Sequence, residues 1–183
     1  MNQPKIIVPI ADGSEEMEAV IIIDILRRAD FDVTIASISE KLEITASRGV
    51  KIVADTLWKE INPNEFDAII LPGGAVGTDN FIAHPELADA LRRFNQAGKP
   101  VGAICAAPLA LQNAGILDSH TATCHPAVAE DLTQPHFTTE RVVHSQNIIT
   151  SQGPGTAMEF ALEIVRKLAS RWAAAQIEAE LIM

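Results

Sequence analysis

Short apolar runs alternate with amphipathic stretches along nearly the whole chain, and few architectures accept that rhythm. A strand buried on both faces reads as a continuous apolar run, whereas a helix laid across a sheet shows an apolar stripe at helical spacing. Lys5 to Ile10 predicts a first buried strand, Asp12-Gly13-Ser14 a turn, and Glu15 to Ala29 a helix. Ser14 is the expected N-cap, with Glu15 and Glu16 in the first turn where the helix dipole favours negative charge. Further buried strands are predicted at Val33–Ser37, Asp67–Leu71 and Val101–Ile104, with helices at Pro85–Ala97 and Ala106–Asn113. Residues 42–54 predict a small β excursion that turns at Ser47-Arg48-Gly49. Later come an apolar piece at Thr121–Cys124, a strand pair at Arg141–Val143 and Asn147–Thr150, and helices at Thr156–Leu168 and Ala173–Ile182. Repeated strand–helix units wind into a mostly parallel sheet with helices on both faces, so the expected fold class is α/β, doubly wound. No repeat or linker interrupts the pattern, and residues 1–183 are read as one domain.

Composition narrows the partners. A net charge of -10 repels phosphate backbones, so nucleic acid is not an expected partner. The longest apolar runs fall far short of the ~20 residues that span a bilayer, and no signal-peptide pattern opens the chain, so a cytoplasmic protein is expected. Two cysteines make no disulfide scaffold, and each is read as a thiol.

The chemistry-bearing segment is Val101-Gly102-Ala103-Ile104-Cys105-Ala106-Ala107-Pro108. A buried strand ends and a helix begins at Cys105, and the small residues Ala103 and Ala107 leave room for the sharp turn of a nucleophile elbow. A helix N-terminus stabilises a thiolate and lowers a cysteine pKa from its usual ~8.5. The competing reading is an inert, buried cysteine that packs as a small hydrophobe. Gly73-Gly74 follows another strand, and its backbone N–H groups, with that of Ala106, are candidates for an oxyanion hole facing Cys105. A plain tight turn explains the same pair. No dinucleotide or phosphate-loop spacing occurs.

Four blocks stand in order: Gly13-Ser14-Glu15-Glu16-Met17-Glu18-Ala19, Leu71-Pro72-Gly73-Gly74, Ala103-Ile104-Cys105-Ala106-Ala107-Pro108 and Thr150-Ser151-Gln152-Gly153-Pro154-Gly155-Thr156. Together they resemble the signature blocks of the ThiJ/PfpI superfamily, within it the branch of the Parkinson-linked redox protein and YajL. The resemblance implies a flavodoxin-like sandwich, a homodimer, and a site that needs no cofactor or metal. It maps the reactive cysteine onto Cys105, its acidic partner onto Glu18 and a nearby histidine onto His125. It also implies that Arg28 and Arg48 help form an anion-binding or dimer-contact region. Glu18 makes chemical sense as a neutral, buried acid, because an ionised carboxylate would oppose a neighbouring thiolate. Cys124 precedes His125 and, in extended chain, points the opposite way, so it is read as core filler.

The implied activity is that of a glyoxalase or protein deglycase acting on a small reactive aldehyde such as methylglyoxal, or on glycated protein, in defence against oxidative and carbonyl stress. The alternative is a redox sensor or stress chaperone in which Cys105 oxidation is itself the signal. A cysteine peptidase or amidase fits less well. Protease-like members carry histidine after the nucleophile, where this chain has Ala106, and the late His-x-Glu pair of the amidotransferases does not occur after residue 144.

Overall fold

The computed structural model describes residues 3–183. The chain runs through β1 (Lys5–Ile10), α1 (Glu16–Arg28), β2 (Asp32–Ser37), the hairpin β3 (Glu43–Thr45) and β4 (Lys51–Val53), and β5 (Thr56–Leu57). It continues as β6 (Ala68–Leu71), α2 (Ala75–Ile82), α3 (Pro85–Gln96), β7 (Val101–Ile104), α4 (Pro108–Asn113), β8 (Thr121–Ala122) and β9 (His136–Phe137). The last elements are β10 (Val142–Ser145), β11 (Ile148–Ser151), α5 (Ala157–Leu168) and α6 (Arg171–Glu180).

Seven strands form one sheet in the order β10-β11-β7-β6-β1-β2-β5, parallel except for β10 at one edge. Alternation along β1 divides the core. Ile6, Val8 and Ile10 meet Ile22 and Leu26 of α1 and Phe160 and Ile164 of α5. Ile7 faces the other way, toward Phe81 of α2, Leu87 and Leu91 of α3, and Leu111 of α4. Both faces are therefore covered, as a parallel sheet requires. The flavodoxin-like sandwich is the architecture observed. Among the described residues, no helix is long and apolar enough to cross a membrane.

From β1 the sheet grows first through β2 and then, on the other side, through β6, so a crevice opens between the carboxyl ends of β1 and β6. Such a reversal is where ligands of open α/β sheets bind.

Three local details depart from the sequence-based expectation. Ser14 does not cap α1: its fully buried Oγ accepts the Ala11 N–H at 3.0 Å and closes the turn, while the Glu15 side chain caps the helix through Glu18 N–H at 2.8 Å. Helix α4 starts at Pro108 rather than Ala106. Helix α2 was not expected at all, because Ala-Val-Gly-Thr-Asp-Asn-Phe-Ile lacks an apolar stripe and strong helix formers. Packing holds it: a Cβ at Gly77 would come within 2.7 Å of Ser14 Cα, so the missing side chain is what lets α2 lie against the β1–α1 turn.

Gly102 plays a comparable part in the core. A Cβ there would approach Ile70 Cδ1 to 2.9 Å and Phe160 Cζ to 3.0 Å. Gly102→Ala should therefore overpack the contact between the sheet and α5 and destabilise the protein by about 1–3 kcal/mol. A shifted denaturant midpoint with unchanged slope is the expected measurement, and a wild-type midpoint would show that α5 yields freely.

Candidate active site

The crevice gathers the ends of several elements. The turn after β1 leads into α1 and places Glu18 at its floor, the loop after β6 supplies Gly73 and Gly74, and β7 ends at Cys105. His125 and the Gly153-Pro154 loop form the opposite wall of a half-open pocket of about 480 Å³.

Cys105 adopts φ +65°, the left-handed region that L-residues avoid at a cost of roughly 1–2 kcal/mol. Its surroundings fix it there. Its N–H donates to the Ser151 carbonyl at 3.0 Å, and its own carbonyl accepts the His125 N–H at 2.9 Å. A Cβ at Gly73 would sit 2.5 Å from that of Cys105, so the loop passes at backbone distance. The result is an elbow that projects the half-buried thiol over the strand end.

Glu18 is wholly buried. Its Oε2 accepts the Gly73 N–H at 2.7 Å, while Oε1 has no hydrogen-bond partner among the described residues. Burial pushes this carboxyl from its ordinary 4.5 up to about 7, against the pull of the Gly73 bond and of the Cys105 thiol. Burial and then the Glu18 charge push the thiol up to about 12, while the N–H groups of Gly74 and Ala106 act in the opposite direction. Carboxyl and thiol are near enough to couple, although no aligned hydrogen bond joins them in this arrangement. The pair therefore gives up its first proton near neutrality and holds the second far above it, so one negative charge is shared between them.

This corrects the expectation of a thiol lowered by its own helix. Helix α4 is six residues long and begins beyond Cys105, and burial beside an acid dominates. The helix whose N-terminal cap faces the sulfur is α2, through Gly74. The oxyanion expectation divides as well. Gly74 and Ala106 turn their N–H groups toward the sulfur, whereas that of Gly73 is committed to Glu18.

His125 lines the pocket, and its Nδ1 accepts the Ala127 N–H at 3.1 Å. In the neutral ring the proton consequently resides on Nε2. Cys124 is fully buried in the opposite core, and burial and the Asp131 charge raise its thiol to about 11, in keeping with a packing role. Arg48 stands at the pocket mouth. Arg28 does not reach the pocket within this chain: it pairs with Asp24 at 2.7 Å and Glu180 at 3.6 Å, about 15 Å along α1 from Glu18. The sequence reading passed over Glu15 and Pro154, both of which line the pocket, and the Ser151 carbonyl behind Cys105. Glu15 carried only the signal of a first-turn acid. Among the described residues no cluster of His, Cys, Asp or Glu has the arrangement of a metal site.

The chain belongs to the DJ-1/PfpI family, whose model matches residues 4–167. It is 48% identical over 92% of its length to protein DJ-1 homolog B of Arabidopsis thaliana, and it spans 39% of that relative and 45% of the related homolog A. The Parkinson disease protein 7 homolog of Danio rerio is 37% identical, with 100% of this chain and 99% of that protein aligned. A Caenorhabditis elegans relative, 36% identical over 86% of this chain and 84% of its own length, is named glutathione-independent glyoxalase DJR-1.2. Among solved structures, Drosophila melanogaster DJ-1beta superposes with a TM-score of 0.96 at 34% identity, covering 100% of this chain and 99% of that one.

The shared charge has a thermodynamic signature. An acid whose folded pKa lies above its unfolded value makes the folded state hold the extra proton, so stability falls as pH rises from about 4.5 through about 7. Glu18→Gln removes that titration. Its melting temperature should gain on wild type steadily between about pH 5 and pH 8. Parallel curves across that range would mean that the carboxyl ionises at its ordinary value in the folded protein and is not raised by burial.

Proposed function

We propose that this protein is a cofactor-independent glyoxalase or deglycase that converts methylglyoxal, or its adducts on protein, to lactate at Cys105. The observation that supports this most directly is the fully buried Glu18 carboxyl, with one oxygen unpartnered, set against a strained and accessible thiol. Placing the proton on Glu18 Oε1 satisfies that oxygen and turns the carboxyl into a donor toward the sulfur. The thiolate then receives the carboxylic O–H together with the N–H groups of Gly74 and Ala106. The thiolate adds to the aldehyde carbon and forms a hemithioacetal. Glu18 and His125 carry a proton from the first carbon to the second, which leaves a thioester, and water hydrolyses it to lactate and regenerates the thiolate. The name of the nematode relative supports the same reaction class. In this reading the protein works in the cytoplasm, where its two free thiols stay reduced.

Cys105→Ser should abolish lactate production from methylglyoxal. Glu18→Gln should abolish it too, because an amide cannot shuttle a proton, yet should leave an alkylatable thiolate. The assay must exclude amine buffers, which trap the aldehyde. Normal turnover by Glu18→Gln would move the acid–base role to His125, and a wild-type protein that makes no lactate would favour the redox-sensor reading.

We also propose that the protein is a homodimer. Helix α1 exposes Met17 and Val20 beside the similarly exposed Val50 and Val53 of the β3–β4 hairpin, an apolar face that a second copy would cover. Arg28 then belongs to the dimer contact rather than to its own pocket. Sedimentation at micromolar concentration should give twice the chain mass, and a single-chain species would refute the assignment.

A further inference from the structure

Glu16 is the one acid in the first turn of α1 that the chemistry above leaves unused. It is 7% exposed, and its carboxylate points away from Cys105 toward the β3–β4 hairpin. Oε2 accepts the Ser47 hydroxyl at 2.7 Å, and Oε1 accepts the Arg48 backbone N–H at 2.8 Å. Burial alone would raise this carboxyl, but the bonds from Ser47 and Arg48 outweigh it and hold Glu16 below the usual carboxylate range. The turn is tethered nearby as well, through Ser47 N–H to the Ser14 carbonyl at 2.9 Å and Gly13 N–H to the Thr45 carbonyl at 2.8 Å. The tip is closed on itself by Ala46 N–H to the Val50 carbonyl at 2.8 Å and Gly49 N–H to the Ala46 carbonyl at 3.0 Å, and beyond Ser47 the Glu16 bond to the Arg48 N–H is what ties this closed turn to α1. The Arg48 guanidinium has no carboxylate partner among the described residues, and it is the one cation that lines the thiol pocket.

We propose that Glu16 is a positioning residue: by gripping Ser47 and the Arg48 backbone it fixes the hairpin tip so that the Arg48 cation stands at the mouth of the Cys105 pocket. The inference rests on Cys105 being the working thiol and is independent of glyoxalase turnover. Glu16 touches no reacting atom. It acts through Arg48, whose charge attracts anions to a site otherwise flanked by Glu15, Glu16 and Glu18.

The test uses two alkylating probes of similar size, neutral iodoacetamide and anionic iodoacetate, with modification at Cys105 followed by mass spectrometry. The ratio of their rates reports the potential at the pocket mouth. Arg48→Leu should lower the iodoacetate-to-iodoacetamide ratio by about two- to fivefold, as one screened charge at close range allows. Glu16→Gln removes a negative charge, so electrostatics alone would raise the ratio. Positioning predicts the opposite: a fall to the Arg48→Leu level, with no further fall in the double variant. Ser47→Ala keeps the Glu16 charge and should lower the ratio by a smaller factor. A ratio that rises or stays at the wild-type value in Glu16→Gln overturns the proposal, as does an equal loss of both rates. Should Glu16→Gln fail to fold, Ser47→Ala decides alone, and a wild-type ratio in that variant counts against it. Neither probe requires turnover, so a failed lactate assay and a failed positioning test are separate results.

Discussion

The cost of burying one ionisable carboxyl shapes the centre of this molecule. Glu18 has no exposed surface, and among the described residues its carboxyl accepts a single hydrogen bond, from Gly73, at one of its two oxygens. An isolated charge in such a place would cost far more than the fold's net stability, so the carboxyl must be neutral or share its charge with a neighbour. Cys105 is that neighbour, and this explains why the loops around the two are so tightly constrained. Gly73 must approach with a bare backbone, since a Cβ would meet Cys105 Cβ, the Ile104 carbonyl and Glu18 Oε2 together. Gly74 must take φ +91° to turn its N–H toward the sulfur, with the Gly13 carbonyl closing off the space for any side chain.

The left-handed backbone at Cys105 follows from the same arrangement. Strain of this size persists only where several contacts agree on it, and here the Ser151 carbonyl, the His125 N–H and the Gly73 loop come from three separate segments of the chain. The elbow is thus a product of the whole fold and not of its own local sequence. Because His125 is bonded to the carbonyl of Cys105, a shift of either segment is felt by the other.

Much of this was legible in the residues. The buried runs at β1, β6 and β7 identified parallel strands, since only a sheet covered on both faces tolerates uninterrupted Ile and Val. Gly98, which takes φ +65° just past α3, is a helix stop that its residue type makes readable. The cysteine at the end of β7 announced an elbow. What stayed hidden depends on contacts between distant segments. Helix α2 owes its existence to Gly77 lying on Ser14, and its own sequence carries no periodic signal. The capping role passed from Ser14 to Glu15 because the Ser14 hydroxyl was taken by the Ala11 N–H, a bond local spacing does not reveal. The rise in the Cys105 pKa was hidden for the same reason. Proximity to a helix start is visible in sequence, whereas the depth of burial and the charge contributed by Glu18 appear only once β1, β6 and β7 are side by side.

The margins of the sheet carry a consequence of their own. At one end the sheet stops with β5, two residues long, and at the other with β10, an antiparallel strand whose outer face is only partly covered. Long unpaired strand edges recruit other strands and invite runaway stacking, and here neither margin offers more than a short stretch of free backbone. Association through continuation of the sheet is therefore blocked at both ends. A second copy of the kind proposed above would have to be recognised by side chains on helices and hairpins, where partners can be chosen by shape and charge and where assembly can stop at a defined number of copies.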